Sequence, residues 1–99
     1  SGKTSVFIRL IDTVVQRGKQ VILMVPEIAL TPQIMERFYS LFGDIVAVIH
    51  SELSLGQRSE TWRSIASGEA KIIIGTRSAV FAPVQDLGLI VVDEEGERT

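Results

Sequence analysis

The stretch Gly88-Leu89-Ile90-Val91-Val92-Asp93-Glu94-Glu95 is an apolar run that ends abruptly in carboxylates. Consecutive branched aliphatics leave no polar face, which is how a strand buried on both sides of a parallel sheet reads. Helical and strand patterns alternate along the chain before it. The expected fold class is therefore α/β, a parallel sheet with helices on both faces. At the strand's end Asp93, Glu94 and Glu95 stand side by side although like charges repel. A cation or a proton-transfer task gives such a cluster a use; a solvated acidic turn behind a core strand is the bland alternative.

The opposite end of the chain bears on that choice. It opens Ser1-Gly2-Lys3-Thr4, the closing half of the phosphate-binding pattern G-x-x-x-x-G-K-[ST]. Gly2 lets backbone N–H groups approach phosphate oxygens, Lys3 supplies a point charge for the β- and γ-phosphates, and Thr4 offers a hydroxyl ligand to Mg²⁺. In proteins with this loop, an Asp at the end of an apolar strand holds the Mg²⁺, and the acid beside it orients or deprotonates the attacking water. A bare G-K-T is common by chance. Its weight comes from the helix pattern that follows it and the acid-tipped strand at the far end. The first glycine of the loop and the strand expected before it do not precede Ser1.

At 99 residues, 45% of them hydrophobic, and with mean hydropathy +0.29, the chain can bury a core and is expected to form one α/β domain over residues 1–99. Its apolar runs are short, far below the roughly 20 residues of a membrane span, and no signal-peptide pattern is present. The absence of cysteine excludes disulfides and thiolate metal sites and fits a reducing, cytoplasmic setting. Net charge is −2 and the pI is near 5.3, so binding to nucleic acid has to come from a local site rather than the overall field.

Val6, Leu10 and Val14 form an apolar stripe over residues 5–17, with Phe7 and Ile11 beside it and Gly18 at the C-cap position. Residues 21–25 read as a buried strand closed by Pro26. Thr31 reads as an N-cap with Pro32 at the first helical position, and Ile34, Met35, Phe38, Leu41 and Phe42 keep helical spacing to Gly43. Residues 45–49 form the next strand. Ser54 and Gln57 make a capping box for a helix carrying Leu55, Trp62 and Ile65 that stops at Gly68. Residues 72–74 form a third strand.

In open α/β sheets ligands bind outside the carboxyl ends of the strands, and the unusual polar residues fall there. They are Glu27 and Thr31, then His50 and Ser51, then Thr76, Arg77 and Ser78, and finally residues 93–95. Each has a plainer reading: Glu27 as a solvated turn residue, His50 as a loop residue shaped by its turn, Trp62 as core over the sheet, and Arg77 as a partner of Glu27 or Asp93.

Taken together, these residues resemble the primosomal protein N′ (PriA) family of superfamily 2 DNA helicases. The matches are Ser1-Gly2-Lys3-Thr4 for motif I, Val25-Pro26-Glu27-Ile28-Ala29-Leu30-Thr31-Pro32-Gln33 for motif Ia, Gly75-Thr76-Arg77-Ser78-Ala79-Val80-Phe81-Ala82-Pro83 for motif Ib and Asp93-Glu94-Glu95 for motif II. His50-Ser51 and Gly56-Gln57-Arg58 with Trp62 also look like the family. Where the family usually continues its acids with His, this chain has Gly96, and residues 96–99 depart from the pattern.

The resemblance implies a partial RecA-like ATP-binding domain, motif I to motif II, of an ATP-dependent 3′→5′ DNA helicase in replication restart. It implies ATP and Mg²⁺ as cofactors. Gly2, Lys3 and Thr4 would hold the nucleotide, Thr4 and Asp93 the Mg²⁺, and Glu94, with Asp93, would serve hydrolysis. Thr31, Thr76 and Arg77 would contact single-stranded or forked DNA through its phosphates, with primosome proteins as further partners and no membrane. The rivals are another P-loop NTPase, such as a small kinase or GTPase, and a non-enzymatic DNA- or partner-binding module. By analogy with superfamily 2, the strand at 89–92 should lie beside 21–25, then 72–75, with 45–49 outermost. That leaves 89–92 as an apolar edge through which the chain self-associates. Such a chain alone lacks the arginine finger of a second lobe, and it is expected to be inactive, to bind ATP weakly or not at all, and not to hold residues 1–4 in productive loop geometry.

Overall fold

The structure is a computed structural model that describes residues 2–93, with side chains from residue 6 onward. Ser1, Glu94, Glu95 and residues 96–99, and the side chains of Gly2, Lys3 and Thr4, lie outside the described residues, as does the expectation about their loop geometry.

The first helix, α1 (Gly2–Gln16), begins in the G-K-T sequence itself, so the backbone of those residues forms its first turn. It ends at Gly18, whose φ of 82° is the left-handed conformation that favours glycine and whose N–H donates to the Val15 carbonyl at 2.8 Å. Strand β1 (Gln20–Met24) follows. Helix α2 (Pro32–Phe42) starts as its sequence predicts: Thr31 accepts from the Ile34 N–H, and Pro32 occupies the first turn. After β2 (Val46–Ile49), Ser54 and Gln57 form the reciprocal capping box of α3 (Leu55–Ala66). Strand β3 (Ile72–Gly75), a 3₁₀ turn (Arg77–Phe81) and β4 (Leu87–Val92) complete the chain.

The four strands are parallel in the order β2-β3-β1-β4, the order expected from the sequence. Alternation along each strand divides the core into two layers. Val21, Leu23, Val48, Ile72, Ile74 and Val91 face one side, where Ile11 of α1 and Phe38 of α2 cover them. Ile22, Ala47, Ile49 and Ile73 face the other, under Ile65 of α3, Ala79 of the 3₁₀ turn and Ala82 just after it. Trp62 packs against this second layer, in keeping with its core reading.

The opening reading of β4 as buried on both sides is corrected. The strand is at the sheet edge and only its α1 side is covered: Val91 is 8% exposed, whereas Ile90 and Val92, on the other side, are 42% and 53% exposed. A run of aliphatics reports affinity for a core, not which neighbours are present to provide one. Gly88, at the start of β4, brings this edge close to α1. A Cβ there would lie 2.7 Å from Val14 Cγ1 and 2.8 Å from Lys19 Cβ.

Among the described residues, one polar side chain is buried. Gln20, 1% exposed, sits at the amino end of β1, where its Nε2 donates to the carbonyls of Ile65 (3.0 Å) and Ala70 (2.8 Å). Its Oε1 accepts from the N–H groups of Gln85 (2.7 Å) and Asp86 (3.2 Å). The amide thus ties together the end of α3, the approach to β3 and the approach to β4. Each buried group left without a partner costs about 1–3 kcal/mol. Gln20→Leu keeps the volume and removes all four bonds, although the Ile65 carbonyl keeps the Gly68 N–H at 3.1 Å, so it should lower the unfolding free energy by about 2–4 kcal/mol. Urea denaturation checks this; a loss below about 1 kcal/mol would show the amide to be dispensable.

Candidate functional site

Helix α1 runs back along β4. Near its end Val14 approaches Gly88 at the start of the strand, and near its beginning Phe7 lines the same cavity as Asp93, just past the strand's end. Phe7 is one helical turn on from Thr4. The first turn of α1 and Asp93 therefore come to the same edge of the sheet, although they lie at opposite ends of the chain. The cavity has a volume of about 310 Å³, with Leu23 and Val25 from β1 and its exit, and with Thr31, Gln33 and Arg37 contributed by α2 and its cap.

Asp93 is held in place by the ladder. Its N–H donates to the Met24 carbonyl at 2.8 Å, which continues the β1–β4 pairing one residue past the strand. Among the described residues no group of three or more His, Cys, Asp or Glu side chains is placed to cage a metal. One carboxylate at an open cavity suits a small hard cation that keeps several waters and takes further oxygens from a phosphate, which is the habit of Mg²⁺. The donor set present fits that ion.

Two more hollows lie along this edge. Met24, Pro26, Arg77 and Val92 border one of about 380 Å³ on another flank of Asp93. A smaller cleft of about 170 Å³ is lined by Glu27, His50, Ser51, Arg58, Thr76 and Ser78, together with apolar neighbours. The Nδ1 of His50 accepts from the Glu52 N–H at 3.3 Å, so the ring is set by its own turn. Elsewhere on α3, the Arg63 guanidinium hydrogen-bonds Glu60 and holds its carboxyl below the ordinary range; both side chains are exposed.

The candidate residues are thus distributed over the edge rather than joined in one pocket. Asp93 and Thr31 share the first cavity, Arg77 lies in the second with Asp93, and Thr76 lies in the third. Arg77 is exposed and makes no ion pair with Glu27. Sequence reasoning did not single out Arg37, which lines the Asp93 cavity, or assign Arg58 to a site. Arg58 did stand in a family-like run directly after the capping-box Gln57, a position that fixes it in the first turn of a helix.

The comparison of sequences places this fold in a family. Residues 1–97 match the model of the DEAD/DEAH box helicases. The chain belongs to that family. Along all 99 residues it is 48% identical to the replication restart protein PriA of Bacillus subtilis and 52% identical to that of Treponema pallidum. It is 50% identical, again over 99 residues, to the PriA of Synechocystis. The chain spans 12–15% of the length of these relatives. Membership of this helicase family carries nucleotide and Mg²⁺ dependence in general terms. No helix among the described residues is long and apolar enough to cross a membrane.

Thr31 has a structural duty in this helicase chain: its hydroxyl oxygen accepts from the Ile34 N–H at 3.3 Å and caps α2. Thr31→Ala should cost about 1 kcal/mol, whereas Thr31→Ser should retain the cap. Thermal melts of the two variants decide it, and equal melts would show that the cap contributes nothing.

Proposed function

We propose that residues 1–99 are the motif I to motif II part of a RecA-like ATP-binding domain in a longer, ATP-dependent 3′→5′ DNA helicase that acts in replication restart in the cytoplasm. The observation that supports this best is the shared cavity of Phe7 and Asp93, which brings the G-K-T turn and the acid-tipped strand to one place. When bound there, Mg²⁺-ATP supplies a phosphoanhydride whose γ-phosphoryl group is transferred to water. The chain's own part is to hold and orient. Gly2 and Lys3 receive the phosphates, Thr4 and Asp93 offer oxygens to the metal, and Glu94 takes the proton of the attacking water or positions it. Thr31, Thr76 and Arg77 hold backbone phosphates of single-stranded or forked DNA without reading its sequence. Primosome proteins are the further partners of the whole molecule. An arginine finger comes from a second RecA-like lobe, so the 99-residue chain alone is inactive.

The test is DNA-stimulated ATPase of the full-length protein. Single-stranded DNA should raise turnover, and Asp93→Asn should lower kcat by about 10²-fold or more with the fold intact by circular dichroism. ATP hydrolysis that ignores DNA, or an Asp93→Asn variant that keeps wild-type turnover, would refute the motor reading.

The finer partner reading concerns the 99-residue chain itself. Leu87, Ile90 and Val92 are 41%, 42% and 53% exposed along a free strand edge, the kind of surface that pairs with another chain. Sedimentation velocity should show dimers or larger species growing with concentration, and Ile90→Lys should return the chain to monomer. A wild-type monomer at high concentration would dispose of this self-association.

A further inference from the structure

The contact between α1 and the start of β4 leaves no room for a side chain, and it is made outside the segments matched to the four helicase motifs. Gly88 stands where the β1–β4 pairing is irregular. Gln20 is opposite Leu87 and Val21 opposite Leu89, so Gly88 is the extra residue of a bulge. It does not take a positive φ, and an alanine there meets no backbone strain. Space is what requires the glycine. A Cβ would lie 2.7 Å from Val14 Cγ1, 2.8 Å from Lys19 Cβ and 3.0 Å from Lys19 Cδ.

A side chain at this point has to move something, and the hydrogen bonds decide which partner yields. The start of β4 is pinned. The Gln20 N–H donates to the Asp86 carbonyl at 2.8 Å, and Gln20 Oε1 accepts from the Gln85 and Asp86 N–H groups. Lys19 adjoins that same buried residue. The end of α1 is held less firmly: Val14 is half-buried, and Gln16, Arg17 and Gly18 after it are exposed. The nearest fully buried residue of the helix is Ile11. Displacement at Val14 therefore turns the helix about Ile11. Val14 is about 4.5 Å past that point along the axis, and Thr4 is about 10.5 Å before it. An outward push of about 1 Å at Val14 thus swings the first turn about 2 Å the opposite way, against the end of β4. Phe7 travels with it, and Phe7 is a wall of the cavity that Asp93 borders.

We propose that Gly88 is a positioning residue for the nucleotide site: by letting α1 seat against the bulge, it sets the separation between the G-K-T turn and Asp93. The reading rests on the helicase function proposed above and deepens it. Phosphate binding at a helix start depends on N–H groups aimed at fixed oxygens, and a misplacement of about 1 Å between reacting partners costs about 10²-fold in rate. No contact between Gly88 and ATP or Mg²⁺ is needed, because Gly88 lies at the amino end of β4 and Asp93 just past its carboxyl end.

The experiment measures Mg²⁺-ATP binding by the full-length protein with a fluorescent ATP analogue, beside ATPase kinetics and thermal melts. Gly88→Ala should weaken binding about tenfold and lower kcat about 10- to 100-fold. Adding Val14→Ala, which removes the colliding methyl from the helix, should restore most of the affinity although it lowers the melting temperature further. Adding Lys19→Gly instead should leave binding weak, since it clears the β1 side of the contact and not the helix. A purely structural glycine would give affinities that follow the melts. If Gly88→Ala does not fold, Val14→Ile wedges the same contact from the helix with the glycine retained, and it should weaken binding about threefold. Wild-type ATP affinity in Gly88→Ala, or in Val14→Ile where that variant replaces it, overturns the proposal and leaves the helicase reading intact. So does a loss that Val14→Ala does not relieve, or that Lys19→Gly relieves equally. A wild-type protein that binds no Mg²⁺-ATP overturns the helicase reading and the positioning role together.

Discussion

The structure hangs on a carboxamide that never meets solvent. Gln20 joins three segments that arrive at the amino end of the sheet from distant parts of the chain, donating to Ile65 and Ala70 and accepting from Gln85 and Asp86. No charged group performs this task, and a neutral amide is well suited to it. An ion buried at this position would cost several kcal/mol in desolvation before it gained anything, whereas an amide offers two donors and two acceptor lone pairs without that penalty. With the amino edge closed by such a network, the polar residues gather at the carboxyl edge of the sheet. Strand ends there empty into loops that carry hydroxyls, carboxylates and arginines, the usual division of labour in open parallel sheets.

Approach at the α1–β4 contact then determines whether the two halves of the proposed nucleotide site meet. The helix returns along the strand, and its near end is drawn in at Gly88, where any side chain would collide with Val14 and Lys19. The far end carries the G-K-T turn towards Asp93. A rigid helix converts a close contact at one end into a defined distance at the other. The glycine therefore acts on the site from the opposite end of the strand, without touching ligand. Lys19 adds an exposed ion pair with Asp86 at 3.1 Å beside this contact, an arrangement worth little in energy that nonetheless marks where the two segments meet.

What was legible in the chain was local. Thr31 with Pro32 and Ser54 with Gln57 announce helix starts because a cap is made by residues a few positions apart, and both caps are found as read. The strand order came from family analogy and agrees with the structure. Gln20 gave no signal, since its partners are 45 to 66 residues away and a lone glutamine before a strand looks solvated. The aliphatics of β4 misled for a related reason: Ile90 and Val92 are as hydrophobic as Ile22 and Ile73, but they lie outside the layer that α3 covers on that side of the sheet. Thr31, Thr76 and Arg77 were read as DNA contacts through the family resemblance; in the structure they line separate hollows.

That separation has a mechanical consequence in the segment after β3. Thr76 lines the cleft with His50 and Arg58, while its neighbour Arg77 lines the hollow with Asp93. Both stand at the head of one 3₁₀ turn, and that turn is pinned by Ala79, which is fully buried. A Cβ at Gly75 would come within 3.1 Å of both the Ala79 methyl and the Ile49 carbonyl, so turn and strand are packed with almost no slack. In so dense a contact a small displacement is not absorbed locally; it moves the turn as a unit. Any shift that brings Arg77 nearer to Asp93 also changes where Thr76 stands in the neighbouring cleft. Two adjacent residues on one short, tightly seated turn thus make the walls of the two hollows mechanically the same object.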